Sequence, residues 1–432
     1  MPRIIDLFSG LGGIRLGFKN AMDELGLPTD CVFSSEIKPY AIKAYKNYYG
    51  DDEIFGDITT AETDKDIPDF DFLLAGFPCQ PFSSAGTRQG FADTRGTLFF
   101  EIERILKEKM EAGHPAEGFL LENVEGLINH DNGKTLKVII SHLENLGYMV
   151  SYKLLDSQKF GLAQSRKRVY IVGTLTSRIN LEDFPEKRTC LRSVLEKGLP
   201  VENSKFTKLL LKNYKLDELP GKSIKDKRGG NNNIHSWDIG LKGRTSKKER
   251  QLLNVMLKER CKKQWAEKIG IPWMDGMPLT KKQIQTFFDD PDLQLMLDDL
   301  TEKGYLVLEH PKKQVIRENG AVRREADTSK ERGYNIVAGK LSFEFSKILD
   351  PDDIAPTLVA MDASKLGVID GTGIRRLTIR ECQRLCGYPD DYDLSMVNEK
   401  EAMDLLGNTV CVPVIKEIAL RLGQYCLNKC KR

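Results

Sequence analysis

Ile4-Ile5-Asp6-Leu7-Phe8-Ser9-Gly10-Leu11-Gly12-Gly13 joins an apolar run, Ile4–Phe8, to a glycine cluster, and helical periodicity follows over Ile14–Leu25. That order predicts a strand, a tight turn and a helix. Glycine lets the turn tighten and lets backbone approach a ligand, while the first turn of the helix offers unpaired amides. The glycine spacing is not the Gly-x-Gly-x-x-Gly of a dinucleotide site, which argues against a nicotinamide cofactor.

Outward from this turn, further apolar runs fall at Cys31–Ser35, Phe72–Ala75, Phe119–Leu121, Tyr148–Leu155 and Val169–Val172. Helical patterns lie between them at Tyr40–Tyr48, Leu98–Met110 and Thr135–Leu146. Strand–helix alternation predicts an α/β domain, with a largely parallel sheet and ligands at the carboxyl ends of its strands. After residue 184 the chain turns lysine-rich and irregular, and helical order returns at Thr378–Cys386 and Val414–Leu422. The expected organisation is a catalytic and cofactor-binding domain over 1–184, a recognition domain over 185–390 and a return to the first domain over 391–432.

The strand ends carry chemistry. Glu36 closes the second strand, where a carboxylate can accept from ribose hydroxyls. Asp57, after a short third strand, can accept from an adenine amino group. Gly76-Phe77-Pro78-Cys79-Gln80-Pro81-Phe82-Ser83 sets a cysteine between two prolines just past a buried strand. Such a stiffened loop suits a nucleophilic thiolate better than a packed core thiol. Leu121-Glu122-Asn123-Val124 places a carboxyl one strand away, and Gln164-Ser165-Arg166-Lys167-Arg168 adds cations aimed by strand alternation to one face.

Composition adds limits. Of 432 residues, 40% are hydrophobic and 30% charged, with no run long enough to span a bilayer and no signal-peptide pattern, so a cytoplasmic protein is expected. Nine cysteines without paired spacing fit a reducing compartment, and no metal site is expected. The net charge of +2 conceals a basic stretch, Lys222–Lys268, with fourteen Lys and Arg against five Asp and Glu. Local phosphate contact needs such a stretch, although a solvated charged face has the same composition.

Taken in order, these motifs resemble those of bacterial C5-cytosine DNA methyltransferases. Asp6–Gly17 is similar to that family's cofactor loop, Pro78-Cys79-Gln80 to its nucleophile motif and Glu122-Asn123-Val124 to its base-binding motif. Gln164–Arg168 matches its Gln-x-Arg-x-Arg element, Arg376–Pro389 the motif closing the variable region, and Gly407-Asn408-Thr409-Val410 the last cofactor-side motif. The resemblance implies a Rossmann-like S-adenosylmethionine-dependent methyltransferase fold with a smaller irregular target-recognition domain. It also implies methylation of carbon 5 of a cytosine swung out of duplex DNA.

By the same resemblance Cys79 attacks cytosine C6, Glu122 holds N3, Arg166 lies near O2 and Arg168 positions the site. Phe8, Gly10, Gly12, Gly13, Glu36, Ile37, Asp57, Ile58, Pro78, Leu98 and Asn408 are the expected S-adenosylmethionine contacts. Ile37 stands where some members carry an aromatic residue. Gln80, Ser83, Arg95, Arg244, Lys247, Lys248, Thr357 and Leu358 are the expected DNA contacts. The implied partners are double-stranded DNA, bound by a monomer, and a cognate restriction endonuclease. Two readings compete: the tRNA-methylating branch of the same family, and a catalytically silent DNA-binding module.

Overall fold

The computed structural model describes residues 1–50, 53–77, 98–226, 230, 232–272, 276–316, 322–337, 343–360 and 362–430. They form two compact units. The first comprises Met1–Glu196, Pro351–Ala363 and Leu377–Arg432, and the second Lys197–Asp350 and Ser364–Arg376. The division differs from the one expected at 184 and 390. Residues 185–196 and 351–363 bond to each other inside the first unit, where Leu191 N donates to Asp353 O (3.0 Å) and Arg192 N to Pro351 O (2.7 Å).

The first unit is built on β1 (Arg3–Leu7), α1 (Gly13–Glu24), β2 (Asp30–Ser35), α2 (Pro39–Tyr49), β3 (Ile54–Phe55) and α3 (Thr63–Asp66). It continues through β4 (Phe72–Gly76), α4 (Leu98–Glu111), β5 (Gly118–Val124), α5 (Lys134–Asn145), β6 (Met149–Asp156) and β7 (Lys167–Thr174). The sheet order is β3-β2-β1-β4-β5-β7-β6. β1 to β5 pair in parallel, and β7 runs antiparallel to both its neighbours. The link from Asp156 to Lys167 is too short for a helical crossover, which forces that reversal.

Alternation along the strands sends Leu73 and Ala75 into one apolar cluster and Phe72 and Leu74 into another. Both faces are therefore covered, and this explains why the central strands read as continuous apolar runs. On the second face α1 packs against the C-terminal helix Val412–Cys430. Gly17 makes that approach possible, because a Cβ there would lie 2.6 Å from the Ile415 Cβ.

The second unit has its own cores. One gathers Trp237, Leu252, Met256, Trp265, Leu297 and Tyr305. The other lies against a five-stranded sheet and includes Phe206, Ile224, Phe345 and Ile374.

Candidate active site

The ends of β1, β2, β4 and β5 open into a cavity of about 630 Å³ within the first unit. Its floor is the loop Phe8–Gly13. Phe8, Gly10 and Gly12 all take positive φ (55°, 53° and 67°), so the chain reverses there in left-handed steps. Phe8 carries a side chain in this region, a local strain of order 1–3 kcal/mol of the kind that functional loops retain. Gly12 has no alternative: a Cβ would sit 2.5 Å from the Tyr49 ring. Tyr49 donates to Gly12 O (2.7 Å) and Tyr392 to Leu11 O (2.7 Å), which pins the loop from both sides.

Glu36 stands over this loop. Its Oε2 accepts from Gly10 N (2.8 Å), and its Oε1 accepts from Ile37 N (2.8 Å) and Lys38 N (2.9 Å). These amides fix the carboxylate, occupying both lone pairs of Oε1 and leaving one on Oε2 for a ligand. Ile37 beside it is 69% exposed on the cavity wall. Asp57 uses one oxygen to cap the next turn, accepting from Thr59 N (3.0 Å). Gly13, Ile58, Leu98 and Asn408 of the expected contacts also line the cavity, whereas Gly12 does not. Asn408 is held by Asp404, whose own carboxylate meets Lys38 (2.9 Å) and Tyr40 (2.8 Å).

Toward β5 the character changes. Gly76 pairs with Glu122 across β4 and β5, and Asn123 Nδ2 donates to Phe77 O (3.0 Å), anchoring the residue before Pro78. Pro78, Cys79, Gln80, Ser83 and Arg95 lie outside the described residues. Glu122 is buried, and its Oε1 meets Arg168 Nε at 3.0 Å. Burial pushes this carboxyl above the usual range, and the charges of Arg168 and then Arg166 pull it back. A carboxyl so poised can hold a proton for a base.

Arg166 has another setting. It is 2% exposed and donates to Leu358 O (2.9 Å) and Gly407 O (3.1 Å). Gln164 works beside it, donating to Leu385 O (2.8 Å) and accepting from Leu358 N (2.8 Å). The two arginines thus divide: Arg168 faces the carboxylate, and Arg166 knots three segments together. Thr357 donates to Ser165 O (2.7 Å), and Leu358 is wholly buried, so its side chain offers no surface to DNA. Burial raises the thiols of Cys386 and Cys411, which makes both poor nucleophiles.

In the second unit Arg244, Lys247 and Lys248 are exposed, but Lys248 is paired with Asp290 (2.9 Å) and lies 4.0 Å from Asp292. Among the described residues no acid, histidine and cysteine cluster could hold a metal, and no helix is long and apolar enough to cross a membrane.

Sequence reasoning missed the cavity residues Ser35 and Lys38, and gave no separate role to Asp6, Ser9 and Asn123 inside the motifs that contain them. Asp6 had a signal, an acid inside a buried strand. Burial raises its carboxyl to about 7, against the Arg15 charge and a hydrogen bond from Tyr45, while Glu36 adds to the rise. Between about pH 4 and 7 folded Asp6 keeps a proton that the unfolded chain has lost, so stability falls as pH rises through that window and levels off above it. Asp6→Asn is expected to flatten this fall, by at most about 4 kcal/mol. Melting curves of both proteins from pH 5 to 8 check it, and curves that stay parallel would count against it.

The family model for C-5 cytosine-specific DNA methylases matches residues 2–424. The Type II methyltransferase M.NlaIV of Neisseria lactamica is 56% identical over 427 residues, spanning 97% of this chain and 98% of its own. The Type II methyltransferase M.BanI of Aneurinibacillus aneurinilyticus is 42% identical over 454 residues, 99% of this chain and 97% of its own. In fold, the crystal structure of S. pombe Dnmt2 methyltransferase is similar at a TM-score of 0.56 and 18% identity, covering 99% of this chain and 100% of that one. With a strand-end cavity, a poised glutamate and a match across nearly its whole length, the chain belongs to the C-5 cytosine-specific DNA methylase family.

Proposed function

We propose that this chain methylates carbon 5 of a cytosine swung out of a short, specific duplex sequence, with S-adenosylmethionine as donor. In this reading it acts as a monomer and forms the modifying half of a restriction–modification pair. The observation that carries the reading is Glu122, a buried carboxyl raised by burial and paired to Arg168 at the edge of the strand-end cavity.

The cavity fits the donor. Among the described residues Ser9 Oγ and Ser35 Oγ are buried there without partners, Gly10 leaves open space where a Cβ would stand, and Ile37 offers a bare apolar face. Phe8, Gly10, Glu36, Ile37, Asp57, Ile58, Leu98 and Asn408 would hold the cofactor. When bound, it supplies a methyl group on a sulfonium.

Cytosine C5 is a poor nucleophile until the ring is activated. The Cys79 thiolate adds to C6, and the C5–C6 π pair moves onto C5. Glu122 holds a proton at N3, so charge does not build up on the ring. Arg168, rather than the buried Arg166, is the cation beside Glu122 and takes the place next to the base carbonyl. The pair on C5 forms the C5–CH3 bond, with the donor left as a neutral thioether, and loss of the C5 proton to water then eliminates the thiolate from C6 and restores the ring. A base inside the stack cannot reach these groups, so extrusion must come first.

Expression in a host lacking cytosine methylation, followed by bisulfite sequencing, tests the reading. Protected cytosines in one short recurring context are the expected result. Unprotected DNA from folded protein would overturn it and favour an RNA substrate.

A further inference from the structure

We propose that the two-stranded ribbon Lys312–Ile316 and Val322–Ala326 enters the major groove of the substrate duplex. This rests on the reading that the substrate is duplex DNA, and it assigns to one element the contact that the sequence had placed around Arg244 and Lys248.

The strands pair antiparallel, from Lys312 opposite Ala326 to Ile316 opposite Val322, and among the described residues they join no other sheet. Every residue of both strands is exposed except the half-buried Val315. The base is firm: Pro311 and Asp327 are buried, and Asp327 N donates to Pro311 O (2.8 Å). Beyond that base the ribbon projects with water on both faces. An isolated hairpin of this kind is marginal in water, so its own packing gives no reason for its presence. Ile316 and Val322, opposite each other, are 73% and 61% exposed, which is costly for a surface with nothing to meet.

Charge selects the partner. The strands carry Lys312, Lys313, Arg323 and Arg324 against Glu325. Lys313 lies 3.6 Å from Asp327, but among the described residues Lys312, Arg323 and Arg324 have no carboxylate within ion-pair distance. Lys248, in the segment richest in basic residues, is already neutralised by Asp290. Unpaired cations on a projecting ribbon suit a polyanion better than an apolar protein face. The dimensions agree, since the major groove, about 12 Å wide, admits a two-stranded ribbon.

The register also sorts the side chains. Lys312, Gln314, Ile316, Val322 and Arg324 share one face, and Lys313, Val315, Arg323 and Glu325 share the other. The first face holds the types that read base edges: arginine for guanine, glutamine for adenine and an apolar contact for the thymine methyl. That face meets the bases, and Arg323 and Lys313 meet the phosphates.

The test uses the full chain and the duplex identified by bisulfite sequencing, with an unrelated duplex as comparison, titrated between 50 and 200 mM salt. Changing Lys313 and Arg323 together to alanine is expected to weaken cognate binding at least about 10-fold and to make the log–log salt slope shallower by about 2. Arg324→Lys keeps the charge but loses the two-pronged donor. It is expected to keep the slope while the cognate-to-unrelated ratio falls about 10-fold. Both variants change exposed positions, and a melting temperature near that of the unaltered chain certifies the fold. Unchanged affinity, slope and preference in both variants would overturn the ribbon's role while methylation of duplex by the unaltered chain keeps the wider reading. Unchanged DNA binding with loss of self-association would give the ribbon to a second copy instead, also overturning it. Failure of the unaltered chain to methylate any duplex would overturn both.

Discussion

Cys79→Ala is expected to abolish methyl transfer, with a loss above about 10,000-fold, while DNA and cofactor binding stay within a few-fold of the unaltered chain. The size follows from the chemistry: without a thiolate at C6 nothing drives electrons onto C5, and removing a covalent nucleophile removes the whole activated path. The surroundings support the choice. Gly76 pairs with Glu122, and Asn123 holds the Phe77 carbonyl, so the chain leaves β4 toward Cys79 from a fixed point beside the poised carboxyl. The nearby buried thiols Cys386 and Cys411 cannot substitute, because burial keeps them protonated. Labelled-methyl incorporation and DNA titration on the same preparation check it. Residual turnover of even a few per cent would require another nucleophile.

Arg166→Ala is expected to act mainly on stability, lowering it by about 3–5 kcal/mol. The guanidinium is 2% exposed and bonds Leu358 O and Gly407 O, so its removal leaves two buried carbonyls unpaired around a new cavity. For a unit of this size that corresponds to a melting temperature lower by roughly 6–20 °C. Arg166→Lys should recover only part of the loss, since one ammonium cannot reproduce the fork. Cofactor affinity should fall with stability, because Gly407 leads directly into Asn408 on the cavity wall. A variant that melts normally but turns over slowly would instead place Arg166 on the base.

Much of the first unit was legible because its signals are local. A strand, a glycine turn and a helix are specified by ten consecutive residues, and Phe8, Gly10, Glu36, Asp57 and Ile58 do meet at one cavity. What escaped was set by contacts distant in sequence. Spacing alone could not reveal that Gln164 and Arg166 would spend their polar groups on Leu358, Leu385 and Gly407. Nor could it show that Asp290 would neutralise Lys248. The unit boundaries escaped for the same reason: Pro351–Ala363 is short and irregular, and its bonds to 163–166 and to 191–192 give it to the first unit. The ribbon was hidden by composition, because the four cations of its two strands fall at separate places in the sequence and are sorted to its two faces only once the register pairs them.

The excursion of Pro351–Ala363 bears on how specificity can be transplanted. A chimera that swaps everything from 197 to 376 as one cassette would carry away the stretch that anchors Gln164 and Arg166. A workable graft takes two pieces, Lys197–Asp350 and Ser364–Arg376, and leaves the host's own Thr357-Leu358 in place. Such a graft has four splice points, and it leaves the anchors of Gln164 and Arg166 with the catalytic floor.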